Sequence, residues 1–126
     1  MDAYATYRTQ AAATASPAQL VLMLYDGALG QIARAQQALA DSRLDEAHDA
    51  LTRSQGIVNH LTATLDHEQG GEIAANLGSL YGFCAERLID ANLAKRDEGL
   101  GEVASVLRGL RDAWEQACCQ ATPVAV

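Results

Sequence analysis

Aromatic side chains are scarce in this chain of 126 residues: one Trp, one Phe and four Tyr, or 5% of the total. An interior with so few rings has to be aliphatic and alanine-rich. Proline is rarer still, with only Pro17 and Pro123, so nothing interrupts long helices through the middle of the chain. No segment alternates apolar and polar residues with the period of a strand. Long hydrophobic runs are absent too. The longest, Leu20 to Tyr25, falls far short of the roughly 20 residues that span a bilayer. The start of the chain has no basic region followed by an apolar run, so no signal peptide and no membrane insertion are expected, and the reading is a cytoplasmic protein. Basic residues are outnumbered, for a formal charge of −7. That argues against nucleic acid and anionic membranes, whose phosphates need a Lys/Arg surplus. The three cysteines, Cys84, Cys118 and Cys119, have neither metal nor redox spacing and read as reduced thiols.

What is present is helical patterning of one domain's length. Ser16-Pro17 followed by Gln19 is a helix opening: the Ser side chain accepts from free N–H groups, Gln reaches back to the cap, and Pro loses nothing at the first position. A first helix is predicted over 17–40, with Val21, Leu24, Ala28, Ile32, Ala35 and Leu39 on one stripe. A second is predicted over 44–66, with Leu44, Ala47, Leu51, Ser54, Val58, Leu61 and Leu65 at strict three- and four-residue steps. Gly70-Gly71 breaks the chain. A third helix, 72–93, turns Ala74, Leu77, Tyr81, Cys84, Leu88 and Ala91 inward. A fourth, 100–118, does the same with Val103, Leu107, Leu110, Trp114 and Ala117. Four such helices joined by short loops predict an all-α, antiparallel up-down-up-down four-helix bundle over 16–119. Residues 1–15, with Tyr4 and Tyr7 on one side of a short helix, form a mobile N-terminal capping segment in this reading, and 120–126 a flexible tail.

These stripes leave large apolar residues over. Leu20 and Met23 remain on the first helix, Ile57 on the second, Ile73, Leu80, Phe83 and Ile89 on the third, and Val106 on the fourth. The third helix is apolar over more than half its girth, which a bundle member facing water does not need. Gly27, Gly30, Gly78 and Gly82 stand among them, each costing about 1 kcal/mol against Ala inside a helix, as if another backbone came close. Grooves walled by Leu and Ile and floored by small residues hold amphipathic helices. The groove candidates are Leu20, Met23, Ile57, Leu61, Ile73, Asn76, Leu77, Leu80 and Tyr81, with Tyr4 and Tyr7 as the resting occupant. Leu61 and Leu77 serve a core equally well, and Asn76 suits either a client backbone or a loop. Tyr25 and Asp26 read as either functional or structural.

Reactive constellations are thin. Asp45-Glu46-Ala47-His48 spells a helicase motif without the phosphate-cradling loop that gives it meaning. Asp45-x-x-His48 lacks the second copy that a di-iron bundle needs. His60 and His67 share a helix face beside Asp66 and Glu68, which reads as a polar helix end before a metal site. The chief rival class is a histidine phosphotransfer bundle built on His48. There Leu51 and Thr52 replace the Lys and Gly usual three and four residues on, and a cation to steady a phosphoryl group is missing. A bundle that self-associates through its surplus surface, as a homodimer, is the other rival. No catalytic residue, cofactor or metal is expected.

Several runs, taken in order, resemble one family. They are Thr14-Ala15-Ser16-Pro17, Leu20-Val21-Leu22-Met23-Leu24-Tyr25-Asp26-Gly27-Ala28-Leu29, Thr64-Leu65-Asp66 and Gly70-Gly71-Glu72-Ile73-Ala74-x-Asn76-Leu77. Leu80-Tyr81, Arg87-Leu88, Ala91-Asn92 and Leu110-Arg111-x-x-Trp114 follow. On these residues the chain resembles the flagellin-export chaperones called FliS. The resemblance implies an antiparallel bundle with a short N-terminal cap. It implies binding of the disordered C-terminal segment of flagellin in the cytoplasm, protection from premature polymerisation, and delivery to the flagellar export machinery, with no cofactor. Gly82, Phe83 and Cys84 depart from the family, which commonly has a polar residue, a second Tyr and a larger apolar residue there.

Overall fold

A computed structural model describes residues 15–120, and its described elements are helical throughout. Helix α1 spans Pro17–Ala40, α2 Leu44–Ala63, α3 His67–Ala94 and α4 Leu100–Trp114, followed by a wider π-helical turn, Glu115–Gln120. The expected start of α1 is built as read. The Ser16 hydroxyl accepts from Gln19 N at 3.2 Å and the Gln19 amide accepts from Ser16 N at 2.9 Å, a closed capping box with Pro17 in the first turn. Tyr4 and Tyr7 lie outside the described residues, as do 1–14 and 121–126.

The start of α3 differs from expectation. The helix begins at His67, five residues early, because Asp66 Oδ1 accepts from the free N–H groups of Glu68 at 3.1 Å and Gln69 at 3.0 Å. The expected break survives inside it as a kink: Gly71 has φ 49° and ψ −121°, a conformation open to glycine. Helix α2 ends earlier than predicted, at Ala63, where Thr64 takes the cap. Helix α4 relaxes into its π turn after Trp114, and Ala117, predicted inward, is exposed. Leu44, first residue of the predicted α2 seam, is 48% exposed, because the seam closes only one turn later.

Pairs across each seam show the topology. Gly27 meets Ile57 and Arg34 meets Glu46 between α1 and α2; Gly78 meets Leu65 and His48 meets Asn92 between α2 and α3; Arg87 meets Glu102 between α3 and α4; Asp26 meets Arg111 and Ala18 meets Trp114 between α4 and α1. In the α1–α2, α2–α3 and α4–α1 seams one partner's number rises as the other's falls, so these neighbours are antiparallel; α4 contacts both α3 and α1, so the helices form a ring in chain order. One end of the bundle carries the start of α1, the α2–α3 turn and the end of α4; we call it the cap end. The other carries the α1–α2 and α3–α4 turns.

The core is aliphatic and small-residued, as the scarcity of rings required. Ile32, Leu51, Val58, Leu61, Leu88, Leu100, Val103 and Leu107 are fully buried, with Ala28, Ala35, Ala38, Ala47 and Ala50. Alanines, rather than the four glycines, bring α1 against α2. A Cβ at Gly27 would meet only Ile57 Cδ1 at 3.4 Å and one at Gly78 only Leu65 Cδ1 at 3.6 Å, while Gly30 and Gly82 face open space among the described residues. The expected close approach of a second backbone at these glycines is therefore not present. Ser54, a buried polar side chain of the core, donates to Ala28 O at 3.4 Å.

Candidate functional site

Helical arithmetic and cross-seam contacts together place the surplus apolar residues. Leu20, Met23 and Gly27 follow each other at three- and four-residue steps, and Gly27 faces Ile57 of α2. Leu20, Met23 and Ile57 therefore flank the α1–α2 seam at the cap end. Leu20 is 38% exposed, and Met23 and Ile57 are half-buried. On α3, Ile73, Leu77, Leu80 and Arg87 share one stripe. Arg87 reaches Glu102 at 3.9 Å and lies against Gly99, both at α4. That stripe therefore looks toward α4, and the opposite flank, carrying Gly78 and Asn92, looks toward α2.

The predicted groove residues thus fall on two flanks at opposite sides of the ring. One lies along α1–α2, the other along α3–α4. In the second, Ile73 is 70% exposed and Leu80 38%, Asn76 is exposed and Leu77 half-buried. Across it stand Val106 and Leu110 of α4, half-buried against the core, and these are wall residues the sequence reading did not assign to the site. Val106 lies one turn beyond Glu102 on the α3-facing stripe, the signal that assigns it. Contacts between α3 and α4 are the sparsest of any neighbouring pair, since α4 has 15 residues against 28 in α3.

Leu61 and Tyr81 belong to the core, at 0% and 3% exposure. Tyr81 crosses the bundle's interior to Tyr25: the two hydroxyls are 2.5 Å apart and the rings 6.4 Å centroid to centroid. Burial pushes the Tyr25 phenol up, with the bond to Tyr81 adding to it, and burial likewise raises Tyr81. Below them, burial and then the charge of Glu102 push the Cys84 thiol up to about 11, which keeps it protonated and unreactive. Tyr25 is thereby structural. Asp26 is an exposed ion-pair partner of Arg111 at 2.8 Å, and Arg111 also holds Glu115 at 3.1 Å. Trp114 Nε1 donates to Ala18 O at 2.8 Å, fastening the end of α4 to the first turn of α1.

The reactive candidates do not assemble. Asp66 is spent as a helix cap, and among the described residues no three of His, Cys, Asp and Glu gather as a metal site. The exposed His48 ring contacts Asn92 Oδ1 at 3.2 Å. A cation does stand nearby, contrary to the sequence reading, but Lys95 Nζ is turned onto Asn92 O at 2.5 Å and Asn92 Oδ1 at 2.7 Å. No described helix is long and apolar enough to cross a membrane.

Fold and surface together define an all-α antiparallel bundle that leaves large apolar side chains exposed on its flanks. A family profile described as "Flagellar protein FliS" matches residues 1–121. The flagellar secretion chaperone FliS of Salmonella typhimurium is 39% identical over 118 residues, 92% of this chain and 87% of that protein. The flagellar secretion chaperone FliS of Bacillus subtilis is 36% identical over 115 residues, 90% and 84%, and that of Campylobacter jejuni 36% over 114 residues, 90% and 89%. The chain belongs to the FliS family of flagellar secretion chaperones.

Proposed function

We propose that this bundle holds the disordered C-terminal segment of flagellin in the cytosol, keeps it from premature polymerisation, and presents it to the flagellar export machinery, as a binding protein without catalysis or cofactor. The observation that carries this reading is the uncovered α3 flank, Ile73, Leu77 and Leu80 opposite Val106 and Leu110. A guest that folds onto such surface buries on the order of 1,000–3,000 Å² and loses some 2–5 kcal/mol to ordering. The net affinity is then moderate, which suits a client that is held and later released. Residues 1–15, with Tyr4 and Tyr7, cover part of this surface in the free protein and leave when the guest arrives.

Calorimetric titration with a peptide from the C-terminal end of the host's flagellin tests the reading. Saturable binding with a negative heat-capacity change is expected. Absence of binding by both the whole chain and a chain lacking residues 1–15 overturns it. The truncated chain is expected to keep its helical circular dichroism and to change its affinity for the peptide; global unfolding would show that the segment is part of the core and not a cover.

A further inference from the structure

Helix α4 is held to its two neighbours in different ways. It shares more contact with α1 than with α3, and the π turn that follows it also lies against α1. Two polar pins reinforce that side, both in the carboxyl half of α4. Arg111 Nε donates to Asp26 Oδ1 of α1 at 2.8 Å, and Trp114 Nε1 donates to Ala18 O at 2.8 Å. A lone exposed ion pair would hold little. Here one guanidinium, 25% exposed, is shared among Asp26, Asp112 at 3.2 Å and Glu115 at 3.1 Å, which orients it. Toward α3 the carboxyl half of α4 has no hydrogen bond or ion pair among the described residues. Only Glu102, at the opposite end of α4, reaches Arg87, at 3.9 Å.

We infer that Arg111 and Trp114 are positioning residues for the guest surface: they hold α4 on α1, so that Val106 and Leu110 do not close over Ile73, Leu77 and Leu80 of α3. Burial of apolar area is favourable and has no preferred direction. By itself it would draw the two sides of the α3–α4 seam together, since Ile73 is 70% exposed and Leu80 38%. Hydrogen bonds do have direction, and those that leave the carboxyl half of α4 point to α1. Arg111 adjoins Leu110, and Trp114 stands one turn beyond it, so a shift at either pin moves that wall. The inference rests on the reading of the α3 flank as the flagellin surface.

The test uses the full chain and two readouts. A soluble gadolinium chelate broadens the methyl NMR signals of exposed side chains, and calorimetry follows the C-terminal flagellin peptide. Arg111→Gln with Trp114→Phe keeps most of the bulk of both side chains and cuts both pins. It is expected to lessen the broadening at Ile73 and Leu80 and to weaken the peptide at least ~10-fold. Asp26→Asn, at a half-exposed side chain whose replacement retains the fold, is expected to move both readouts the same way by less. Should the double variant lose its helical circular dichroism, Asp26→Asn decides. Arg111→Lys keeps a cation within reach of Asp26 and is expected to retain most of both signals. Arg108→Gln removes a like charge from an exposed position of the same helix and is expected to change neither. Unchanged broadening at Ile73 and Leu80 overturns the inference even where the peptide weakens, because the loss then belongs to direct contact with the guest. Stronger broadening with tighter binding overturns it as well, since the pins would then hold the seam shut. If the unaltered chain ignores the peptide, the flagellin reading fails, and the broadening alone decides the role of the pins.

Discussion

The α1–α2 seam and the α3–α4 seam are built from the same chain to opposite ends. Between α1 and α2 five fully buried alanines stand among the larger core residues, and these two helices share the most extensive contact in the bundle. Between α3 and α4 the facing residues are large, and α4 is too short to follow α3 along its whole length. The result is a seam that leaves Ile73 and Leu80 in water. Contact is densest along α1–α2, and large apolar side chains are left uncovered along α3–α4.

The comparison breaks most visibly on the stable side. Leu51→Ala, at a fully buried position of α2, should lower unfolding free energy by about 2–5 kcal/mol in a urea titration. A cost near zero would mean the α1–α2 half is not the structural half. Next comes the interior link between the two halves. Tyr25→Phe leaves the buried Tyr81 hydroxyl unpaired and should cost about 1–3 kcal/mol, while the double Tyr25→Phe/Tyr81→Phe recovers part of it.

The same interior sets an alkaline limit. Burial raises Cys84 from 9.0 to about 11, so its contribution is intact below pH 9 and is lost as pH climbs toward 11. The two buried tyrosines extend that loss upward from their ordinary 10.0. Stability measured against pH should therefore fall above about 9, with the onset shifted upward in Cys84→Ala; an unchanged onset would remove the thiol from the account.

On the binding side, Ile73→Asp with Leu80→Asp should weaken the flagellin peptide at least ~10-fold, or about 1.4 kcal/mol. Exposed positions of this kind should move stability by no more than about 0.5 kcal/mol. Equal losses of stability and affinity would erase the division between the seams. Smallest of all, Ser16→Ala should cost about 1 kcal/mol by thermal melting and leave guest affinity unchanged.

Much of this division could be read before any coordinates. Ser16, Pro17 and Gln19 announced the start of α1 because capping depends on residues within one turn of each other. The periodic stripes of α1 and α3 returned as buried side chains, Ala28, Ile32 and Ala35 on one, Tyr81, Cys84 and Leu88 on the other. The expected break at Gly70-Gly71 kinks the third helix without ending it, and the cap at Asp66 that starts the helix earlier was not read from the sequence. Asp26 found its partner 85 residues away in Arg111, a pairing no local signal contains.

Local spacing and composition thus determined the helices, their inward faces, the aliphatic core and the existence of surplus apolar surface, since each follows from 3.6-residue periodicity and side-chain chemistry. Only the tertiary structure decided how that surplus is shared out. Which flank of α3 meets α4 and which meets α2 depends on the order of the ring and on the unequal lengths of α3 and α4. Those two facts set the surplus residues on two opposite flanks and buried Tyr81 and Leu61 in the core.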